Sequence, residues 1–173
     1  MKRRTFLKGL ALFGVPFVFK AVAAPRPVRI GVDICPYCYM FVVDGRFVAQ
    51  VVVETGKFYN YDAIECLADH VNGYAAYGPT VRVKPKEWYV SDFLRSTGRS
   101  PVLIPAEEAV IVYHKRIRTP MGGGLAAFRT REEAEKFVAE RRLKGARFLT
   151  WEEILEEGKR HPWVPPLEDE EEG

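Results

Sequence analysis

The chain has 173 residues, with 26 lysines and arginines, 23 aspartates and glutamates, and a net charge of +3. Five of the basic residues lie in the first 23 positions, so the remaining 150 residues carry 21 basic against 23 acidic side chains, a net charge of −2. This balance, with no cluster of basic and aromatic residues, excludes nucleic acid as a partner. The remaining 150 residues contain enough apolar side chains for one domain or two very small ones.

Residues 1–23 resemble an export signal of the twin-arginine type. Two arginines at positions 3 and 4 precede an apolar run over residues 9–19, which is too short to cross a bilayer comfortably and is followed by Lys20. We therefore predict cleavage after Ala23 and a mature chain without a transmembrane helix. The predicted location is periplasmic or otherwise extracytoplasmic, with membrane association only if the signal is retained.

The first part of the mature chain is predicted to form strands followed by a helix. Tyr39 to Val53 is rich in β-branched and aromatic residues and is broken by Asp44-Gly45, which predicts a hairpin. A short strand follows at 57–59. Asn60 is the predicted N-cap of a helix over 61–72.

The second part repeats this order. We predict a strand over 88–93, a connecting loop over 96–105, strands over 110–114 and 125–128, a helix opened by a Thr130/Glu133 capping box and ended by Gly145, and a short helix over 151–158. The predicted fold is α+β, with two similar β-β-α units of mainly antiparallel strands packed together and a short C-terminal helix. The predicted units span 24–84 and 85–157, and 158–173 is predicted to be a Pro-rich, acidic, disordered tail.

Soft sulfur is concentrated at the start of the mature chain. Cys35, Cys38 and Met40 lie within six residues, and such ligands favour Cu(I), since Zn(II) rarely takes a thioether. After removal of the signal the other methionine is Met121, which precedes three glycines in a loop with little bulk around it. If the two units pack together, this loop could face the cysteines, so that Cys38, Met40 and Met121 form a sulfur site that releases Cu(I) by ligand exchange.

Two other interpretations of the cysteine pair remain open. Cys35 and Cys38 could act as the dithiol of an extracytoplasmic thiol-disulfide oxidoreductase, although that motif normally opens a helix and here leads into a predicted strand. A structural disulfide between them is also compatible with an oxidising compartment.

The other sulfur and imidazole side chains are predicted to be structural. Cys66 and His70 share a face of the first helix and could bind a metal, but Cys66 is predicted to be a small buried apolar residue. His114 and His161 are predicted to lie on the surface. We find no motif for a hydrolase, so a carrier and not an enzyme is expected.

Several segments carry a resemblance to a known family. They are Cys35-x-x-Cys38-x-Met40, the hairpin and Phe58 strand that lead into a helix, 88–92, 107–112, 120–128, and Glu133-Ala134 in the following helix. Together these segments, which span 35–155, resemble the NosL family, the accessory copper chaperones of nitrous oxide reductase. The family usually has glycine where this chain has Tyr39. Many members are lipoproteins, whereas no cysteine precedes Cys35 here, so no lipid anchor is expected.

The resemblance implies an exported Cu(I)-binding protein that delivers copper to nitrous oxide reductase with the help of a membrane transporter complex. It implies that Cys38 and Met40 are the primary ligands. It also implies that Met121 and, less directly, Cys35 contribute to the same metal site.

Overall fold

The structure is a computed structural model that describes residues 24–76 and 84–165. The elements in chain order are β1 (Ala49–Val53), β2 (Phe58–Tyr61), α1 (Ile64–Val71), β3 (Pro85–Ser91), β4 (Leu103–Pro105), a 3-10 turn (Ala106–Glu108), β5 (Val110–Tyr113), β6 (Leu125–Phe128), α2 (Arg131–Glu140), β7 (Arg147–Leu149) and α3 (Trp151–Gly158). No helix in the described ranges is both long and apolar enough to cross a bilayer.

Two antiparallel sheets organise these elements. The first has the strand order β2-β1-β3-β4 and the second has the order β6-β5-β7. The strand of each sheet that comes first in the chain, β1 or β5, lies between two neighbours. On one side it pairs with the next strand in the chain, and on the other with the strand that follows the helix. This arrangement confirms the predicted α+β fold with two similar units and a short C-terminal helix.

The second sheet is buried on both faces because its side chains alternate between two apolar cores. In β6, Leu125 and Ala127 face a large core shared with α1, α3 and β1, whereas Ala126 and Phe128 face a smaller core under α2. The sheets meet where the Phe93 backbone N–H donates to the Ala127 carbonyl at 2.9 Å. The large core therefore lies between the two units, and it contains all three cysteines.

Capping residues define where the later helices begin. Thr150 and Glu153 form a complete capping box at α3. At α2 the predicted box is half formed: Thr130 accepts from the Glu133 backbone N–H, but the Glu133 carboxylate pairs with Arg95 at 2.6 Å instead.

The predicted hairpin around Asp44-Gly45 is wrong. Between residues 24 and 48 the structure has no strand longer than an isolated bridge, and β1 pairs with β2 and β3 instead. Gly45 serves close packing instead of a type I′ turn: its N–H donates to the Gly98 carbonyl at 3.0 Å, and a Cβ at this position would lie 2.5 Å from the Thr97 carbonyl oxygen.

The predicted helix cap at Asn60 is also wrong. Asn60 lies in β2, where its buried side chain bonds to Gln50 at 2.7 Å and to Asp33 at 2.7 Å. The helix begins later, after Ala63, which has no side chain able to cap it. An internal polar network, which a local pattern does not reveal, competes here with capping.

The predicted unit boundary and loops also change in the structure. β3 belongs to the first sheet and not to the second unit, because α1 returns the chain to the free edge of β1. The predicted loop over 96–105 contains β4. Of the predicted tail, Trp163 and Val164 are buried, so these residues are not disordered. The predicted signal over 1–23 and the acidic residues after Pro165 lie outside the described residues.

Candidate metal centre

The first two cysteines lie in a reverse turn stabilised by backbone hydrogen bonds. The Cys35 N–H donates to the Met40 carbonyl and the Tyr39 N–H donates to the Cys35 carbonyl, both at 2.9 Å. Tyr39 has a φ of 59°, the left-handed region that favours glycine. This backbone geometry explains why glycine suits the position that Tyr39 occupies.

The turn has two arms, one on each side of it, and in each arm an exposed residue is followed by a buried one. This alternation directs the thiols inward. Ile34 and Phe41 form an antiparallel bridge and are 55% and 54% exposed, whereas Cys35 and Val42, the next residue in each arm, are fully buried. The outer face is apolar, since Val32, Tyr39, Met40 and Val43 are exposed as well. The turn therefore presents a hydrophobic outer surface over an inner pair of thiols.

A third thiol, contributed by α1, completes the group. The sulfurs of Cys35, Cys38 and Cys66 all lie within 4.8 Å of one another, and all three residues are buried free cysteines. Three sulfurs around one ion at metal–sulfur distances of ~2.3 Å would be separated by about 4 Å. The cluster therefore has the spacing of a three-sulfur metal centre.

The prediction for Cys66 was incomplete. Cys66 is buried, as expected, but it lies against the two cysteines of the turn and not merely among apolar side chains. The spacing of Cys66 and His70 pointed to this face of the helix. No local signal could show that the Cys35–Cys38 turn packs against it.

Asp62 fastens the turn to the start of α1. Its carboxylate accepts from the Val43 backbone N–H at 2.9 Å. Its own backbone N–H favours the Cys35 thiolate and so opposes the rise in the pKa of that thiol. Burial raises the pKa of the Asp62 carboxyl to about 6. Asp62 therefore links the turn to the residues that precede α1.

The three thiols have different proton affinities. Hydrogen bonds from Cys35 and then Cys66, with backbone N–H groups of Met40 and Cys38, lower the pKa of the Cys38 thiol. Burial, together with the neighbouring sulfurs, raises the pKa of Cys35 and Cys66. Of the three thiols, Cys38 is therefore the one that most readily gives up its proton.

The two predicted thioether ligands have different environments. Met40 is 41% exposed on the outer side of the turn, two residues after Cys38. Met121 is partly buried and packs against the large core that contains the three cysteines. One thioether is thus open to the surroundings and the other lies on the interior side.

Glu65 connects the loop of Met121 to α1, and sequence analysis did not identify it. Its Oε1 accepts hydrogen bonds from the Thr119 hydroxyl and, at 3.1 Å, from the Gly123 backbone N–H. Burial raises the pKa of the Glu65 carboxyl to about 7. Gly123 is required at this contact, because a Cβ there would lie 2.7 Å from the Glu65 side chain.

The histidines lie outside the thiol cluster. His70 is buried and its Nδ1 lies 2.9 Å from the Tyr61 hydroxyl. His114 was predicted to be a surface residue, but it is only 9% exposed and its ring bonds to the Lys144 carbonyl and the Arg116 N–H. His161 is exposed, as predicted.

The fold and the thiol cluster define a small α+β protein of two related units with a sulfur-rich candidate centre for a soft metal ion. The sequence profile of the NosL family matches residues 29–158, which include the cluster and every helix and strand described above. The chain therefore belongs to the NosL family.

The fold is also found in a solved structure. The chain is similar to the crystal structure of the copper chaperone NosL from Shewanella denitrificans, with a TM-score of 0.59 and 20% sequence identity over 75% of this chain and 94% of that chain. At this identity the likeness shows the fold. No curated protein matches the sequence.

Proposed function

We propose that this protein is a Cu(I)-binding metallochaperone, not an enzyme, which is exported and delivers copper to a copper enzyme by ligand exchange. Nitrous oxide reductase is the proposed recipient, and a membrane transporter complex is the proposed auxiliary partner. Membership of the NosL family and the resemblance of the sulfur motifs support this assignment. The twin-arginine pattern within residues 1–23 supports export.

The observation that carries the proposal is the convergence of three buried thiols from two distant segments of the chain. Cys35, Cys38 and Cys66 offer soft donors at a spacing that fits one small ion, in a largely apolar environment. We propose Cys38 as the principal ligand, with Cys35, Met40 and Met121 in the same ligand set. Cys66 is a further donor that was not predicted, and the five sulfurs are alternative donors because Cu(I) takes only a few of them at a time.

The position of Met40 supports exchange with a partner. A carrier must present one ligand at its surface, because the incoming ligand has to reach the ion before the outgoing ligands dissociate. Met40 is exposed and lies next to Tyr39 and Phe41, which are also exposed. An apolar surface around an exposed ligand suits a partner that excludes water during transfer.

Replacing Met40 by leucine is expected to weaken Cu(I) binding by roughly tenfold or more, since leucine keeps the volume and removes the thioether. Competition between the fully reduced protein and a Cu(I) chelator measures this change. Val43→Leu, an exposed substitution three residues away, is the control and should leave the affinity unchanged. Equal affinities for the Met40→Leu variant and the unmodified protein would exclude Met40 from the ligand set.

One observation favours a second function. The sulfurs of Cys35 and Cys38 are free thiols within 4.8 Å of each other, and in a thiol-disulfide oxidoreductase they would alternate between dithiol and disulfide. This activity would be insensitive to Met40→Leu. Disulfide exchange that continues in a protein unable to take up Cu(I) would support the oxidoreductase and contradict the chaperone.

Cu(I) affinity is expected to rise with pH. Cys35 and Cys66 hold their protons at neutral pH because their pKa values are raised, and binding of the metal by their thiolates must displace those protons. Each displaced proton contributes about tenfold in apparent affinity per pH unit below the thiol pKa.

Chelator competition at several pH values between 6 and 8 tests this dependence. Cys66→Ser should reduce the slope of log apparent Cu(I) affinity against pH by the contribution of one proton. A slope that is the same in both proteins would mean that Cys66 does not give up a proton on binding.

A further inference from the structure

Glu65 is a buried acid in an energetically unfavourable position. Its side chain is fully buried, and among the described residues Oε2 has no hydrogen-bond partner. Burial of a carboxyl group with an unpaired oxygen destabilises a fold, so an apolar residue of similar size would be favoured here if packing alone mattered. What Glu65 contributes must therefore come through Oε1, its other carboxylate oxygen.

The hydrogen bonds of Glu65 close a small network around the Met121 loop. The Thr119 hydroxyl donates to Oε1 of Glu65 and accepts from the Gly124 backbone N–H at 3.2 Å, while the Gly123 N–H donates to the same Oε1. Both arms of the loop over 119–124 are thus attached to one carboxylate oxygen of α1. The residue between these attachment points that carries a soft donor is Met121.

Glu65 is adjacent in sequence to one thiol of the cluster. Glu65 precedes Cys66 in α1, so a single helical turn carries both the anchor of the loop and one thiol of the cluster. Met121 packs against the core that contains this cluster. Gly123 packs directly against the Glu65 side chain, so the loop and the start of α1 are in close contact.

We propose that Glu65 is a positioning residue that holds the Met121 loop against α1, so that the thioether of Met121 lies beside the thiol cluster as a ligand for the soft metal ion. This inference rests on the proposed Cu(I) function. It assigns Glu65 no direct bond to the metal. The Thr119 hydroxyl is the second part of the same anchor.

The test is a double-mutant cycle in the full mature chain, read by Cu(I) chelator competition. Glu65→Leu should lower the affinity by about tenfold to a hundredfold, the range typical for residues that orient metal ligands. In the Glu65→Leu protein, adding Met121→Leu should have little further effect, although Met121→Leu alone weakens binding in the otherwise unmodified protein. Glu65→Gln should bind within about threefold of the unmodified protein, because its amide oxygen can accept the same two hydrogen bonds.

Two measurements on the metal-free protein separate positioning from loss of structure. Hydrogen exchange at the Gly123 amide should become faster in Glu65→Leu, while a single cooperative thermal transition should be retained, because only the attachment of the loop has been removed. Thr119→Val should reproduce the faster exchange. Slow exchange in both variants would show that this anchor does not hold the loop.

The affinity results distinguish the failure of this inference from the failure of the proposed function. Unchanged Cu(I) affinity in Glu65→Leu, or an equal effect of Met121→Leu in both backgrounds, would overturn the positioning role while leaving Cu(I) binding intact. If the unmodified reduced protein takes up no Cu(I), the proposed function fails and this inference fails with it.

Discussion

Replacing Cys38 by serine is expected to reduce Cu(I) affinity by roughly a hundredfold or more, the largest effect of any single substitution at the cluster. Loss of a residue that only orients a metal ligand costs about tenfold to a hundredfold, so loss of the principal ligand should cost at least as much. Cys38 is the sulfur that favours the thiolate, because the other two thiols and nearby backbone N–H groups donate to it. A serine hydroxyl stays protonated and is a hard donor that Cu(I) does not favour.

The measurement is chelator competition under full reduction, with the melting temperature recorded for each variant. Val42→Ala is the matched control: Val42 is buried in the same turn but has no donor atom. It should lower the free energy of unfolding by about 2 kcal/mol and leave Cu(I) affinity unchanged. Retention of tight binding by Cys38→Ser would remove the basis of the proposed function.

Replacing Gly123 by alanine is expected to destabilise the fold substantially. The added Cβ would lie 2.7 Å from Cβ and Cγ of Glu65 and 2.8 Å from Cδ, so the loop or the start of α1 must move. Overpacking of this kind costs about 1–3 kcal/mol. For a chain of this length, that corresponds to a fall in melting temperature of roughly 2–12 °C.

Gly98→Ala is the appropriate comparison for this substitution. A Cβ at Gly98 would meet no atom closer than the Asp44 carboxylate at 3.9 Å, so this variant should stay within about 0.5 kcal/mol of the unmodified protein. Thermal unfolding of the metal-free proteins measures both changes. If Gly123→Ala melts at the same temperature as Gly98→Ala, the loop does not pack against Glu65 as tightly as the 2.7 Å distance indicates.

Local patterns were sufficient for elements whose signals lie within a few residues. The short final helix and the Leu125–Phe128 strand have their predicted bounds, Thr130 caps α2 as predicted, and the repeated order of strands and helix indicates two similar units. These signals are reliable because capping and β-propensity act between near neighbours.

Local patterns failed where a distant partner changed the role of a residue. Asn60 has the side chain of a helix cap, yet Gln50 and Asp33 bind it within the first sheet. Asp44-Gly45 is a dipeptide typical of hairpin turns, yet Gly45 is needed for packing against Thr97. In both cases a long-range contact outweighed the local preference.

The candidate metal centre shows the same contrast between what local sequence indicates and what distant contacts decide. The spacing of Cys35, Cys38 and Met40 was enough to indicate soft-metal chemistry, because the sequence gives both the type of ligand and the proximity of the ligands along the chain. The inclusion of Cys66 and the anchoring of the Met121 loop by Glu65 depend on how α1 packs against two segments that are remote in sequence. Such packing is set by the burial of the whole apolar core, a sum over contacts from both units that no short stretch of residues contains.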